Sequence, residues 1–371
     1  MPDTTTPVRP PRAPLWTRLL IAAGLVLTMA GVFGIVSVKY FLGRLTGGIQ
    51  TTSSVLADAG VGGTASSGKL PDGAMNLLML GLDTRAGWEA KGELSRSDTI
   101  LILHIAASHD RVYMISIPRD MVADIPADPS IGFKGSREKI NSAYAYGSQN
   151  GRGWTGGAKL AAKAVHTLTG ITFDGLVVID FDGFRGLLEA MGGVHMCVDK
   201  DMWSSHYIVD AKGKVSYAEG TDPLTPPANA LWFKKGCRDM QPWEALEFSR
   251  LRHSTNGDYD RQRHQQQLLR AMAEKATSAG ILTNPGKVSR ILEAAGSSLK
   301  MDTHGVPVAD FVFGQKGLAA ADLIPIKTNA GAFNDVGGGE GATATTQALF
   351  EATAADKLDD FLLTQPGLLI S

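Results

Sequence analysis

Three patterns of hydrophobic and polar positions follow one another along this chain, and each predicts a different kind of element. Leu19 to Val38 is an uncharged run of twenty residues, apolar on every face. Such a run is long enough to cross the hydrocarbon layer as a helix and too uniform for a surface helix. From about Thr46 to Gly73 the pattern dissolves into Gly, Ser, Thr and Ala without a period, the composition of a flexible stem. Beyond it, short runs rich in Ile, Leu and Val recur at Asn76 to Leu82, Thr99 to Ile105, Val112 to Ile117 and Leu176 to Phe181. These read as strands buried on both faces.

Helical spacing fills the intervals. Ala158 to Leu168 carries it, and Phe184 to Met191 forms a short helix closed by Gly192-Gly193 before a strand at Val194 to Val198. Further helices are expected at Pro242 to Leu251 and Asp258 to Ala276, and helical pieces at Val288 to Leu299 and Thr345 to Leu363 around a Gly337-Gly338-Gly339 loop. The expected fold is α/β, a mixed central β-sheet flanked by helices and preceded by one transmembrane helix. The pattern divides the chain into a cytoplasmic tail (1–18), an anchor (19–38), a stem (39–73), a main domain (74–277) and a C-terminal helical extension (278–371).

Composition narrows the function classes. The chain has 371 residues, 44% of them hydrophobic, which suffices for a large core. Its 36 Lys and Arg nearly balance 37 Asp and Glu. That leaves no whole-molecule field for nucleic acid, so any anion site must be local. Arg9, Arg12 and Arg18 precede the apolar run while Lys39 and Arg44 follow it, a bias toward a cytoplasmic N-terminus and an extracytoplasmic main domain. A cleaved signal peptide is the rival reading, with a shorter apolar region as its usual mark. Cys197 and Cys237 are the only cysteines, too few for a disulfide framework.

Charged residues gather where the apolar strands stop, the usual place for sites in open α/β sheets. Asp83-Thr84-Arg85, Arg96-Ser97-Asp98 and Arg119-Asp120 each join an acid to an arginine. Two hard carboxylates, Asp83 and Asp98, suit a divalent cation that completes its shell with water and phosphate. Four arginines, Arg250, Arg252, Arg261 and Arg263, lie within fourteen residues. Asp258 is placed as an N-cap, and Arg261, His264, Gln265 and Leu268 are spaced to share one face. Guanidinium forks at a helix N-terminus bind phosphate oxygens bidentately; a solvated salt-bridge surface fits the same charges. Lys139 and Asn141 add a cation and an amide. There is no GxSxG, P-loop or HExxH pattern, which disfavours serine-nucleophile and zinc chemistry.

The segments LMLGLDTR, SRSDTILIL, ISIPRDM, KINSAYAYG, ALEFSRLR and GDYDRQRHQQ, with GGV after a helix, resemble in order and spacing the LytR-CpsA-Psr family of cell-wall glycopolymer transferases. The resemblance spans roughly Asn76 to Ala276. It implies a phosphotransferase that moves a glycan phosphate from a polyprenyl-pyrophosphate carrier to a peptidoglycan acceptor, on a single-pass protein of the cytoplasmic membrane. By position Asp83 and Asp98 look like ligands of Mg²⁺ or Mn²⁺. Arg96, Arg119, Lys139, Arg250, Arg252, Arg261 and Gln265 look like the pyrophosphate-holding set, with Asp83, Asp98 and Arg119 in the catalytic role. His264 stands where the family often has arginine. Asp83 and Asp120 are the candidate general bases. Hydrolysis of the same pyrophosphate, or non-catalytic binding of it, uses the same residues. An extracytoplasmic domain also permits a Cys197–Cys237 disulfide closing a forty-residue loop.

Overall fold

The computed structural model describes residues 49–63, 70–84, 94–218, 225–252, 256–281, 284–308 and 321–370. The apolar run Leu19 to Val38 lies outside them, and so does Arg85. Among the described residues no helix is long and apolar enough to cross a membrane.

The first half of the chain forms strands β1 (Gln50–Thr52), β2 (Met75–Leu82), β3 (Ser97–Ile105), β4 (Arg111–Ile117), β5 (Val122–Ile125), β6 (Ser136–Lys139) and β7 (Gly175–Asp180). The second half adds β8 (Val194–Val198), β9 (Met202–Val209), β10 (Val215–Tyr217), β11 (Ala230–Phe233), β12 (Gly236–Met240), β13 (Leu299–Asp302) and β14 (Asp322–Ile326). The helices are α1 (Val55–Ala59), α2 (Ser142–Ser148), α3 (Gly153–Thr169), α4 (Phe181–Met191), α5 (Pro242–Phe248), α6 (Asp258–Ser278), α7 (Pro285–Ala295), α8 (Ala344–Ala354) and α9 (Leu358–Thr364).

Seven strands make the central sheet, in the order β1-β13-β7-β2-β3-β4-β14. It is mixed: β2 runs antiparallel to β3 and parallel to β7, and β14 runs parallel to β4. Alternation along each strand sorts its apolar residues to two faces. Leu78, Leu80, Ile100, Ile102, Ile115 and Val178 pack with Leu160, Ala161 and Val165 of α3 and Leu349 and Phe350 of α8. On the opposite face Ile179 and Val177 join Leu292 and Ala295 of α7. There α6 is tied to the sheet by Gln266, whose Nε2 donates to Met114 O at 3.1 Å and Ser116 Oγ at 3.0 Å. A second core, with Phe233, Phe248 and Leu268, joins α5 and α6 to the β9-β10-β11 and β8-β12 ribbons.

Three expectations shift. Residues 278–371 are not a helical extension, since they supply β13 between β1 and β7 and β14 beside β4. The helix expected to reach Leu299 ends at Ala295, and Leu299 opens β13. The Gly- and Thr-rich stretch expected as stem includes β1, which pairs with β13, and α1, where Val55 and Leu56 are buried. In both places the strand is only 3 or 4 residues long. Its stability comes from partners about 250 residues away in the chain, which local periodicity cannot register.

Candidate functional site

The sheet places its charged residues at one edge. Because β2 and β3 are antiparallel, with Leu82 opposite Ser97, the end of β2 and the start of β3 present Asp83 and Asp98 together. The parallel neighbour β7 ends there too, with Leu82 opposite Asp180. Asp180 is the cap of α4: its carboxylate accepts from Gly183 N at 2.9 Å, satisfying an orphan donor of the first turn.

Behind this edge lies a pocket of about 480 Å³. Its floor is apolar, with Met79 and Leu101 from the sheet, Phe184 from α4, Leu246 from α5 and Leu268 and Leu269 from α6. The charged lining comprises Asp83, Asp98, Asp180, Arg250, Arg252 and Arg261, and Gln265 stands one turn beyond Arg261.

Around the mouth the ion pairs form a connected lattice. Asp98 takes a hydrogen bond from Arg119 Nη1 and another from Asn141 Nδ2 at 3.3 Å, and Arg252 Nη2 is 3.7 Å away. Asp258, at the start of α6, pairs with Arg261 at 2.7 Å, Arg119 at 3.7 Å and Arg252 at 3.9 Å. Arg261 also donates to Asp98 O at 2.9 Å. Arg119 continues outward to Asp120 at 3.7 Å, which Lys139 meets at 2.9 Å.

The lattice leaves positive charge underpaired. Arg261 is only 3% exposed; burial, opposed by Asp258 and reinforced by Arg252 and Arg119, holds its pKa down to about 10. Arg252 is lowered for the same reasons, burial first and then the charge of Arg119. At Arg119 burial is outweighed by Asp98, Asp258 and Asp120, and the pKa is raised. Two buried donors, Arg119 Nε and Arg261 Nε, have no hydrogen-bond acceptor among the described residues. Orphaned donors on crowded guanidiniums are what an incoming anion satisfies.

Not every expected residue meets the pocket. Arg96 is exposed and does not line the pocket; its carbonyl accepts from Asp83 N at 3.2 Å. Lys139 reaches the lattice through Asp120 rather than lining the pocket. Asp120, a candidate base, is held between Lys139 and Arg119 and does not line it either. Arg250 is on the wall, its guanidinium 4.4 Å over the Phe181 ring.

His264 departs from expectation. It does not share the face of Arg261, Gln265 and Leu268, but is fully buried, 4.3 Å from the Phe248 ring centroid and 3.9 Å from Asp199. Burial lowers its pKa against the pull of Asp199, so position 264 brings no charge to the pocket. Asp258 is not the cap either: Gly257 is, and Asp258 opens the helix and gathers the arginines. Sequence reading missed that role, although its i,i+3 spacing to Arg261 was visible.

Among the described residues no three His, Cys, Asp or Glu side chains gather as a metal site. Asp83 and Asp98 remain as two hard carboxylates facing one pocket. Cys197 and Cys237 oppose each other across the β8-β12 pair and are disulfide-bonded.

A mixed sheet carrying an arginine and carboxylate pocket at one edge defines a class, and the chain belongs to the LytR_cpsA_psr family, whose model matches residues 48–329. Among relatives, it is 28% identical over 226 residues to the polyisoprenyl-teichoic acid–peptidoglycan teichoic acid transferase TagV of Bacillus subtilis. That stretch is 61% of this chain and 49% of TagV, so the chain spans about half the length of that curated relative. The crystal structure of B. subtilis TagV shares the fold with a TM-score of 0.52 at 22% identity, over 78% of this chain and 99% of that one. A structure of TagT bound to LI-WTA aligns with a TM-score of 0.53 at 19% identity, over 80% of this chain and 96% of that one.

Proposed function

We propose that this chain transfers a glycan phosphate from a polyprenyl-pyrophosphate carrier to peptidoglycan, attaching a cell-wall glycopolymer. The observation that carries the reading is one pocket with an underpaired arginine mouth over an apolar floor. A pyrophosphate joined to an isoprenoid chain needs both halves. Arg252 and Arg261 line the pocket and offer forks to the phosphates, Arg119 does not line it but joins them through Asp98 and Asp258, and Met79, Leu101, Leu246 and Leu269 offer an apolar bed to the first isoprene units. The teichoic acid transferase relatives support the choice of donor and acceptor.

The chemistry follows from charge. A sugar hydroxyl approaching a pyrophosphate is repelled until the phosphate oxygens are neutralised, and preorganised cations in a partly desolvated pocket do this most effectively. Asp83 and Asp98 are suited to hold Mg²⁺ or Mn²⁺, since Asp83 has no ion-pair partner among the described residues and Asp98 is hydrogen-bonded in a fixed orientation. A divalent cation there supplies Lewis-acid neutralisation of phosphate oxygen. The remaining work belongs to the chain: the arginines orient the pyrophosphate, and Asp258 keeps them converged. The apolar run at 19–38 and the Cys197–Cys237 bond support a membrane-anchored domain in the oxidising space outside the cytoplasm.

The test is to purify the full chain from membranes, extract bound lipid and identify polyprenyl phosphates by mass. Wild-type protein is expected to retain them, and Arg119→Ala and Arg252→Ala to lose them. Normal retention in both variants overturns the assignment.

A further inference from the structure

The lattice at the mouth explains how pyrophosphate is held, and it leaves open what removes the proton from the attacking hydroxyl. On the transferase reading Asp83 and Asp98 are engaged with the cation, and Asp120 is paired with Lys139 away from the pocket. The same pocket is also lined by His206, from β9. It is the only histidine among the described residues that line this pocket.

Its setting is that of an oriented base. His206 Nδ1 lies 3.0 Å from Glu247 Oε1. Glu247 is 2% exposed and also accepts the hydroxyl of Ser204. Burial alone would favour the neutral acid, but the bond from His206 and its charge, then the bond from Ser204 and the charge of Arg250, outweigh it and hold the Glu247 pKa below the ordinary value. An ionised carboxylate on Nδ1 fixes that nitrogen as the N–H and leaves Nε2 as the basic one. Nε2 has no protein partner among the described residues, and the side chain is 29% exposed.

Glu247 also links this histidine to the phosphate site. Its second oxygen lies 3.9 Å from Arg250 Nη1, so one buried carboxylate holds His206 on one side and a pocket arginine on the other. Tyr217 extends the wall outward, nearly parallel to the imidazole at 11° and 51% exposed, the kind of face on which a sugar ring rests its C–H side.

Resting on the transferase reading, we propose that His206 is the general base that deprotonates the acceptor sugar hydroxyl, with Glu247 as its positioning residue. His206 Nε2 takes the hydroxyl proton as the oxygen bonds to the glycan-bearing phosphorus. The bond from that phosphorus to the bridging oxygen breaks, and its electron pair leaves with the polyprenyl monophosphate. The imidazolium then returns its proton to solvent. Nothing is oxidised or reduced.

Among the described residues the imidazole meets Glu247 from α5 and Tyr217 from β10, with Arg250 behind Glu247, while β11 brings no titratable side chain. Arg185 on α4 acts on the adjacent Tyr207. Because the base must be neutral to accept a proton, turnover should rise with pH along a limb of slope one.

The experiment uses the full chain in detergent, a short polyprenyl-pyrophosphate-linked glycan as donor and a soluble peptidoglycan fragment as acceptor. His206→Gln is expected to lower kcat about 100- to 10,000-fold, to keep donor retention and KM for donor within about threefold, and to abolish the rising limb. Full transfer by His206→Gln with the limb intact overturns the proposal while leaving the transferase reading standing. A wild-type profile with no acid limb overturns it without any variant. Absence of wild-type transfer to the acceptor overturns both.

Discussion

Asp258 offers the sharpest stability prediction, because three arginines converge on one of its oxygens. In Asp258→Asn the shape is kept and the charge removed. Arg261, 3% exposed, then loses its 2.7 Å counter-ion and keeps only neutral acceptors, the new amide oxygen and the Asp98 carbonyl. Breaking a buried pair from one side costs about 3–5 kcal/mol. Asp258 is itself 22% exposed, and water can solvate part of what is left, which lowers the expectation to about 2–3 kcal/mol. For a domain of this size that is a fall in Tm on the order of 5 °C. The assay is thermal unfolding of both proteins in rising inorganic pyrophosphate. An anion that replaces the missing carboxylate binds the variant more tightly, and linkage returns about 2.7 kcal/mol at a hundredfold excess over Kd. The variant should therefore gain more Tm from pyrophosphate than the wild type does. A variant within 1 °C of wild type without anion, or one that gains nothing from pyrophosphate, would refute the convergence of these arginines on an anion site.

Three further outcomes follow from the same geometry. His264→Phe should keep lipid retention, because His264 faces Asp199 and Phe248 rather than the pocket. Burial holds its pKa below the ordinary 6.5, so its contribution is full above about pH 6.5 and lost as pH falls below it. The variant should show a shallower loss of stability from pH 7 to 5, the remaining slope including that of buried His104. Replacing Cys197 and Cys237 together by serine opens a forty-residue loop and should cost about 4 kcal/mol in chemical denaturation; a loss under 0.5 kcal/mol would show that the bond constrains little. A chain ended after Thr277 lacks β13 and β14, and circular dichroism should find it without the cooperative unfolding of the whole domain.

The central strands were legible because β2, β3, β4 and β7 are long apolar runs whose burial on both faces writes itself into composition. Their register, and with it the meeting of Asp83, Asp98 and Asp180 at one edge, is a consequence of topology and was not. β1, β13 and β14 were invisible for a related reason: strands of 3 to 5 residues carry too few positions to show a period. The arginines of α6 announced themselves by density, yet which of them face the pocket depends on the rotation of the helix. That rotation is set by Gln266 against the sheet and puts Arg261 and Gln265 inside and Arg263 and His264 toward Asp199. His206 and Glu247 lie 41 residues apart, and no motif ties them together. Only the packing of β9 against α5 does.

The most direct measurement of the central claim follows one phosphorus. A polyprenyl-pyrophosphate-linked glycan labelled at the phosphorus next to the sugar is mixed with the full chain, peptidoglycan and Mg²⁺. The label should enter peptidoglycan as a glycosyl phosphate, with polyprenyl monophosphate released in equal amount, and Asp83→Ala should stop both. Label recovered as free glycosyl phosphate despite acceptor, or donor bound and never consumed, would contradict the account.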